Sequence, residues 1–368
     1  MKHSLLAVLT ALLFIGCGDN SMDDRNSSNF VAKDNYSPAI SGTDFSLPSM
    51  LKNLKTNIFL RHAEEFDTAL NTFGDAIDAL ALAQTSQTIQ TARNNWVNLM
   101  KNWKKIQGNW AFEIKSGCCN ELVEFIDQSD LVNPSKKPPS YYVPFVMAGA
   151  DVRSSTRYTN IGLVEALLFM ESDVNASAAA VVQDIVEVMQ EKSAELLAHW
   201  QNDETFVANT GGETVDAILN QFIDNMYKNK EQRLGEPAGL TAGSGGVIDP
   251  ELLEYHYSKS SASSIIARIR GLKEVYTGDN NTSDGNLGFD DYLIYKGAKT
   301  ENTQILDAID AAIASLESLE GTLNDALTDN REAVAECYAK QVALYNAVYS
   351  TLPAAMAIIP KIVEADGD

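Results

Sequence analysis

Histidine is scarce in this chain. Four occur among 368 residues, at positions 3, 62, 199 and 256. None sits in an H-E-x-x-H or H-x-x-E-H cluster, so the helical zinc-hydrolase signatures are missing. Cysteine is as sparse: Cys17, Cys118, Cys119 and Cys337 are the full set, with no C-x-x-C pair of zinc-site type. Basic residues are in deficit, 28 Lys plus Arg against 50 Asp plus Glu, for a formal net charge of −22. That balance excludes a nucleic-acid partner and a headgroup-hugging surface, and is compatible with attracting cations. A phosphate-binding glycine loop and a nucleophile elbow are absent. So is any sustained apolar–polar alternation flanked by hairpin turns, which excludes a large sheet.

Hydrophobic residues supply 45% of the chain, enough for one large or two medium folded domains. The first apolar run, Leu5 to Cys17, falls short of the roughly 20 residues a spanning helix needs. Lys2 and His3 precede it and no acid appears before Asp19. This is the pattern of a secretory signal. Cysteine directly after Phe14-Ile15-Gly16 looks like a bacterial lipobox, so residues 1–16 are expected to be removed and Cys17 to be lipidated. Each buried acyl methylene contributes about 0.8 kcal/mol, and several chains on one residue make a durable membrane anchor. The expected location is therefore the bacterial cell envelope, on the periplasmic side or the cell surface. Oxidation there would allow a vicinal Cys118–Cys119 bridge or a bridge from either to Cys337, and the sequence leaves the choice open.

Residues 17–47 are polar and aperiodic, which predicts a flexible tether. Helical spacing begins with Leu51, Leu54, Ile58, Phe66, Leu70 and Phe73, interrupted around His62. The clearest amphipathic stretch is Ser86–Phe112, where Trp96, Leu99, Trp103, Ile106 and Trp110 form one stripe and Arg93, Lys101, Lys104 and Lys105 lie opposite. Residues 115–156 read as loop with short helical turns. Helices are expected at 159–170, 177–200 and from 214, and a glycine-rich break over 235–246 divides a domain at 48–234 from one at 235–368. Beyond it a helix pair is expected over 252–276 and a polar loop over 277–291. Two long helices follow, one marked by Ile305 through Leu327 and one by Val334 through Met356, kinked at Pro353. The fold class read from these segments is all-α.

Candidate chemistry is thin. Glu165 is the one carboxylate in Ile161-Gly162-Leu163-Val164-Glu165-Ala166-Leu167-Leu168-Phe169. A buried carboxylate must pair, protonate or hold a cation; Arg153, Arg157 and Tyr158 are the nearest partners in sequence. The loop from Asn280 to Asp291 faintly matches a calcium loop, but it opens on Asn and ends on Asp where a bidentate Glu is usual. It reads as a polar connection.

Three blocks carry a resemblance to a known family. They are Ala92-Arg93-Asn94-Asn95-Trp96 through Trp103 and Trp110; Asn160 to Phe169, matching a G-x-H-x-x-E motif followed by an apolar run; and Leu253-Glu254-Tyr255-His256-Tyr257-Ser258-Lys259-Ser260-Ser261, continuing to Tyr276-Thr277-Gly278. In order and spacing the chain resembles the imelysin family, which includes iron-regulated protein A and insulin-cleaving metalloproteases. The resemblance implies an all-α fold of two helical-bundle domains with a cleft between them, and a link to bacterial iron uptake. It carries over Glu165, with Glu254, His256, Ser258 and Ser261 as further metal- or ligand-binding candidates. An iron or other divalent ion is the implied cofactor, and a metal ion, haem or an envelope protein the implied partner. Asn160 stands where the motif has Gly, and Gly162 where it has His. Gly162 cannot ligate, and its presence suggests close packing or a helix start. The expectation is a non-catalytic binding protein; a metallopeptidase using other ligands and a structural lipoprotein are the alternatives.

Overall fold

The computed structural model describes residues 45–108, 137–208, 213–279 and 286–359. Cys17, Cys118, Cys119, Trp110, the signal and nearly all of the tether lie outside them. No strand occurs among the described residues, and the fold is all-α as expected. The helices are α1 (Leu47–Asn53), α2 (Arg61–Leu82), α3 (Ser86–Gly108), α4 (Val143–Met147), α5 (Ile161–Phe169), α6 (Ala176–Asn202), α7 (Thr205–Ala208), α8 (Glu213–Lys228), α9 (Ser261–Thr277), α10 (Phe289–Tyr295), α11 (Lys299–Glu317), α12 (Leu323–Asp329), α13 (Arg331–Asn346) and α14 (Leu352–Met356). No described helix is long and apolar enough to cross a membrane.

Local chemistry sets the helix ends. Asn160 and Asn175 are N-caps whose side chains accept from Leu163 N at 2.8 Å and Ala178 N at 2.9 Å. Gly278 closes α9 with φ +71°, the left-handed conformation that glycine adopts without steric cost. Packing does the rest. Helix α2 lies between α3 and α6, α9 packs on the other side of α3, and α11 packs against α13. One apolar core runs through all of them, from Met50 to Met356. Trp96 and Trp103 are fully buried in it, the role expected of the tryptophan stripe. At about 1.5–3 kcal/mol for each large apolar side chain removed from water, this core is the main source of stability.

Several local expectations need correction. Lys104, placed on the polar face of α3, is fully buried. His62, read as an interruption of the α2 stripe, belongs to its buried side and contacts Glu274. The helix pair over 252–276 is a short 3-10 turn, Pro250–Leu252, then a tight loop, then the single helix α9. The helix drawn through Ile305 and Leu327 ends at Glu317, turns through Gly321 at φ +78°, and restarts behind the Thr322 cap as α12. Asp290 and Asp291, given to a polar loop, are buried in α10, where Asp291 accepts from Gly288 N at 3.0 Å. The last position of the faint calcium loop is thus spent on a helix start.

Candidate functional site

Helix α5 is short and sunk in the core, with eight of its nine residues buried. Asn160 caps its start. At its end Arg93 reaches from α3 to donate to Leu168 O at 2.8 Å and Glu171 O at 2.8 Å, satisfying carbonyls that a helix leaves orphaned. Trp96 fixes it sideways: its indole N–H donates to Ile161 O at 3.2 Å, and its ring meets Phe169 and Tyr255 edge-on, with centroids 5.2 and 5.3 Å apart. The helix that carries Glu165 is therefore held at both ends and along one side.

Glu165 is 4 % exposed. Of the cations expected beside it, Arg153 binds Glu191 at 2.7 Å and Arg157 is exposed. Glu165 faces the loop between Leu253 and Ser260. The Ser258 backbone N–H donates to Oε1 at 2.8 Å, and the Ser258 hydroxyl and the Tyr257 N–H add to the cradle. These donors are neutral. Burial pushes the carboxyl up to about 7, and nearby Glu254 adds to the rise against the opposing hydrogen bonds. Near neutral pH the group is poised between its two forms.

The loop is strained where it presents those donors. Tyr255 and Lys259 both have φ +57°, a left-handed conformation costing each side chain about 1–2 kcal/mol. Ser260 N donates to Tyr255 O at 3.2 Å, closing the turn. Ser261 Oγ donates to Glu254 O at 2.5 Å and pins its far side. Such strain gathers where a surrounding structure holds a site in place.

Glu254 differs from its neighbour. It is 2 % exposed, with Lys104 Nζ at 2.9 Å, Arg268 Nη2 at 3.1 Å, Arg233 Nε at 3.3 Å, and the Ser264 hydroxyl donating to it. Burial would raise this carboxyl, but Arg268, Lys104 and Arg233 outweigh it and hold it well below the usual range. The cluster draws α3, α9 and the turn Asn229–Gly235 together. Lys104 also lies 4.9 Å above the Tyr255 ring.

Between α5, the 3-10 turn Pro139–Tyr142 and the strained loop lies a cavity of about 310 Å³. Pro138, Pro139, Leu253 and Tyr255 form its apolar walls, with Glu165, Glu251 and His256 as polar points. A Cβ on Gly162 would lie 2.8 Å from Pro139 Cγ. The proline ring thus fills the space into which a side chain at 162 would project. His256 is partly buried, and that burial lowers its pKa against the pull of Glu251 and Asp249.

Glu165, Glu254, His256, Ser258 and Ser261 are thus brought into one region, in distinct roles. Glu165 and His256 line the cavity, Ser258 cradles Glu165, Ser261 braces the loop, and Glu254 also touches the cavity but is committed to three cations. A resident metal ion does not fit this donor set. No group of three or more His, Cys, Asp or Glu side chains among the described residues is placed to hold one. Catalytic zinc takes three protein ligands, and position 162 offers none. Sequence reasoning missed Lys104, Arg233 and Arg268 as partners, and Pro138 and Pro139 as walls. Arg268 had a visible signal, since it lies three residues after Ile265 and four before Leu272 on the apolar face of α9.

Comparison with known proteins matches this architecture. An imelysin-like protein from Psychrobacter arcticum 273-4 superposes with a TM-score of 0.71 at 14% identity, covering 88% of this chain and 100% of that one. A structure described as an iron-regulated protein A precursor, from Parabacteroides distasonis ATCC 8503, gives a TM-score of 0.68 at 12% identity, covering 90% and 99%. At these identities the likeness is one of fold. No curated protein matches the chain. The model of the imelysin family, peptidase M75, matches residues 59–349, and on that match the chain belongs to the imelysin family.

Proposed function

We propose that this chain is a lipid-anchored protein of the bacterial cell envelope that binds a ligand without cleaving it, in the service of iron or metal uptake. One observation carries the binding role: Glu165 forms part of a cavity wall while buried on neutral donors, with no cation beside it among the described residues. Buried charges are ordinarily paired, so Glu165 in its ionised form calls for a partner that enters the cavity. Family membership supports the link to iron, as does the description of the Parabacteroides structure. The leader and Cys17 support the anchor.

Peptidase chemistry of the metal-assisted kind needs an ion held by several ligands. Here Gly162 abuts Pro139 and Glu254 is occupied. Purified protein supplied with zinc, ferrous, ferric and calcium ions is expected to leave insulin intact and to show no Glu165-dependent ion site tighter than about micromolar, the range in which dedicated sites bind. Cleavage abolished by Glu165→Ala would restore the metallopeptidase. The binding role is tested by thermal-shift screening of small molecules against wild type and Glu165→Gln. Hits confined to wild type are expected; their complete absence would leave a structural lipoprotein. The iron link predicts that the transcript rises on iron starvation, and an unchanged level would remove it.

A further inference from the structure

We propose that the cavity takes a small organic cation, seating a primary ammonium or guanidinium head on Glu165 and the carbon stem between the Pro138–Pro139 wall and Leu253. This rests on the binding role proposed above and names its ligand class.

The argument is one of charge. Helix α5 carries no charged residue besides Glu165, and α4 and the Pro139–Tyr142 turn carry no acid or base beyond the tyrosines Tyr141 and Tyr142; Lys137, just before the turn, lies 5.5 Å over the Tyr141 ring. On α3, Lys104 is on Glu254 and Arg93 on the carbonyls that end α5. On α6, Lys192 binds Glu195, while Glu191 takes Arg153 from the 3-10 turn Val152–Ser154. Arg268 of α9 and Arg233 lie against Glu254. In the strained loop Lys259 reaches away to Asp325 at 3.0 Å. Each of these cations is engaged elsewhere, and among the described residues the Glu165 carboxylate is met by neutral donors. Glu251, also on the cavity, adds a second acid.

The same inventory disfavours other ligands. An anion would meet two acids, the buried Glu165 and the exposed Glu251, whose like charge repels it. A bare divalent ion requires several oxygen ligands at once, more than Glu165, Glu251 and His256 provide without movement. A positively charged head on an apolar stem satisfies both the carboxylate and the proline and leucine surfaces, and an aromatic wall such as Tyr255 is itself favourable to cations. Binding then draws Glu165 into its ionised form, so below neutrality the ligand displaces a proton, and affinity falls as protons compete.

Calorimetry with agmatine and n-butylamine, with n-butanol as the uncharged control, tests this on the full chain lacking only its leader and anchor cysteine. Binding of both amines at pH 8 is expected, about tenfold weaker at pH 5.5 than at pH 6.5, with proton release seen as a buffer-dependent heat. Glu165→Gln should lose at least tenfold at pH 8 and flatten the pH profile apart from the charging of His256, while remaining folded by circular dichroism. Glu251→Gln and His256→Gln should weaken binding but keep the proton release. Equal binding by folded wild type and Glu165→Gln, or butanol binding as tightly as butylamine, overturns the proposal. Amines failing while another compound or ferric citrate binds in a Glu165-dependent way would refute the ligand class and keep the binding role. If nothing binds wild type, both fall.

Discussion

Two carboxylates at buried positions set opposite pH dependences. Glu274 of α9 receives hydrogen bonds from His62 and from Arg61 Nη2 at 2.8 Å, with Lys105 Nζ at 3.3 Å. Burial would raise it, but His62, Lys105 and Arg61 bring it down to about 2. Its folded value is below its unfolded one, so its contribution is present above the unfolded pKa and is lost as pH falls from about 5 towards 2. Glu165 has the reverse sign. Its value of about 7 exceeds the unfolded one, so the fold is favoured while it holds a proton and loses stability as pH rises through 7. Chemical denaturation should therefore show Glu274→Gln costing about 3 kcal/mol at pH 7 and much less at pH 2. Glu165→Gln should gain on the order of 2 kcal/mol more at pH 8 than at pH 4.5. A Glu165→Gln protein destabilised equally at both pH values would contradict this account. At this scale the sequence was partly legible. An acid alone in an apolar helix marked Glu165, whereas Lys104 looked like solvated charge because its partner, Glu254, is 150 residues away along the chain.

At the scale of elements, glycine decides how closely helices approach. A Cβ on Gly271 of α9 would lie 2.1 Å from Lys105 O of α3, a backbone atom that cannot swing aside. Gly271→Ala is expected to destabilise by about 3 kcal/mol, at the upper end of ordinary overpacking. It should also loosen the Glu254 and Glu274 networks that bridge these two helices. Gly74 of α2 is the contrast. There the neighbours are Gln190 Nε2 at 3.2 Å and a Val186 methyl at 3.4 Å, so Gly74→Ala should fall between neutral and a gain of about 1 kcal/mol from helix propensity. Denaturant midpoints of the two variants check this, and equal shifts would refute it. Periodicity found the helices because each buries one long face, as Trp96, Leu99, Trp103 and Ile106 do on α3. It ran together α11 and α12, whose apolar residues share a face across the Ser318–Thr322 turn, and it could not see the Tyr255 and Lys259 conformations, which no side-chain preference announces.

For the whole molecule, the proposed anchor has a direct consequence. Cys17→Ser should shift the protein from the membrane fraction to the soluble fraction of the envelope without altering its thermal melt, since the core begins at Met50. Immunoblotting of fractionated cells reads the result, and a Cys17→Ser protein that stays with membranes would remove lipidation from the account. Overall architecture was the most legible property of all, because composition and spacing together admit only a helical assembly. The cavity was the least, since its walls come from Pro138 and Pro139, α5 and the 250s loop, segments whose proximity is a product of folding and not of neighbouring sequence.

The Asn53 side chain, on the first helix, donates to Gly278 O at 2.7 Å and to Leu287 O at 2.9 Å. Any ribosome delivers residue 53 long before residue 287, a separation of 234 positions. At about 5–20 residues per second the delay is about 10–50 s. During that interval Asn53 lacks both of its acceptors, so the opening helix gains this fastening only at the end of synthesis, which would suit the exported chain proposed above by keeping its leading portion threadable for longer.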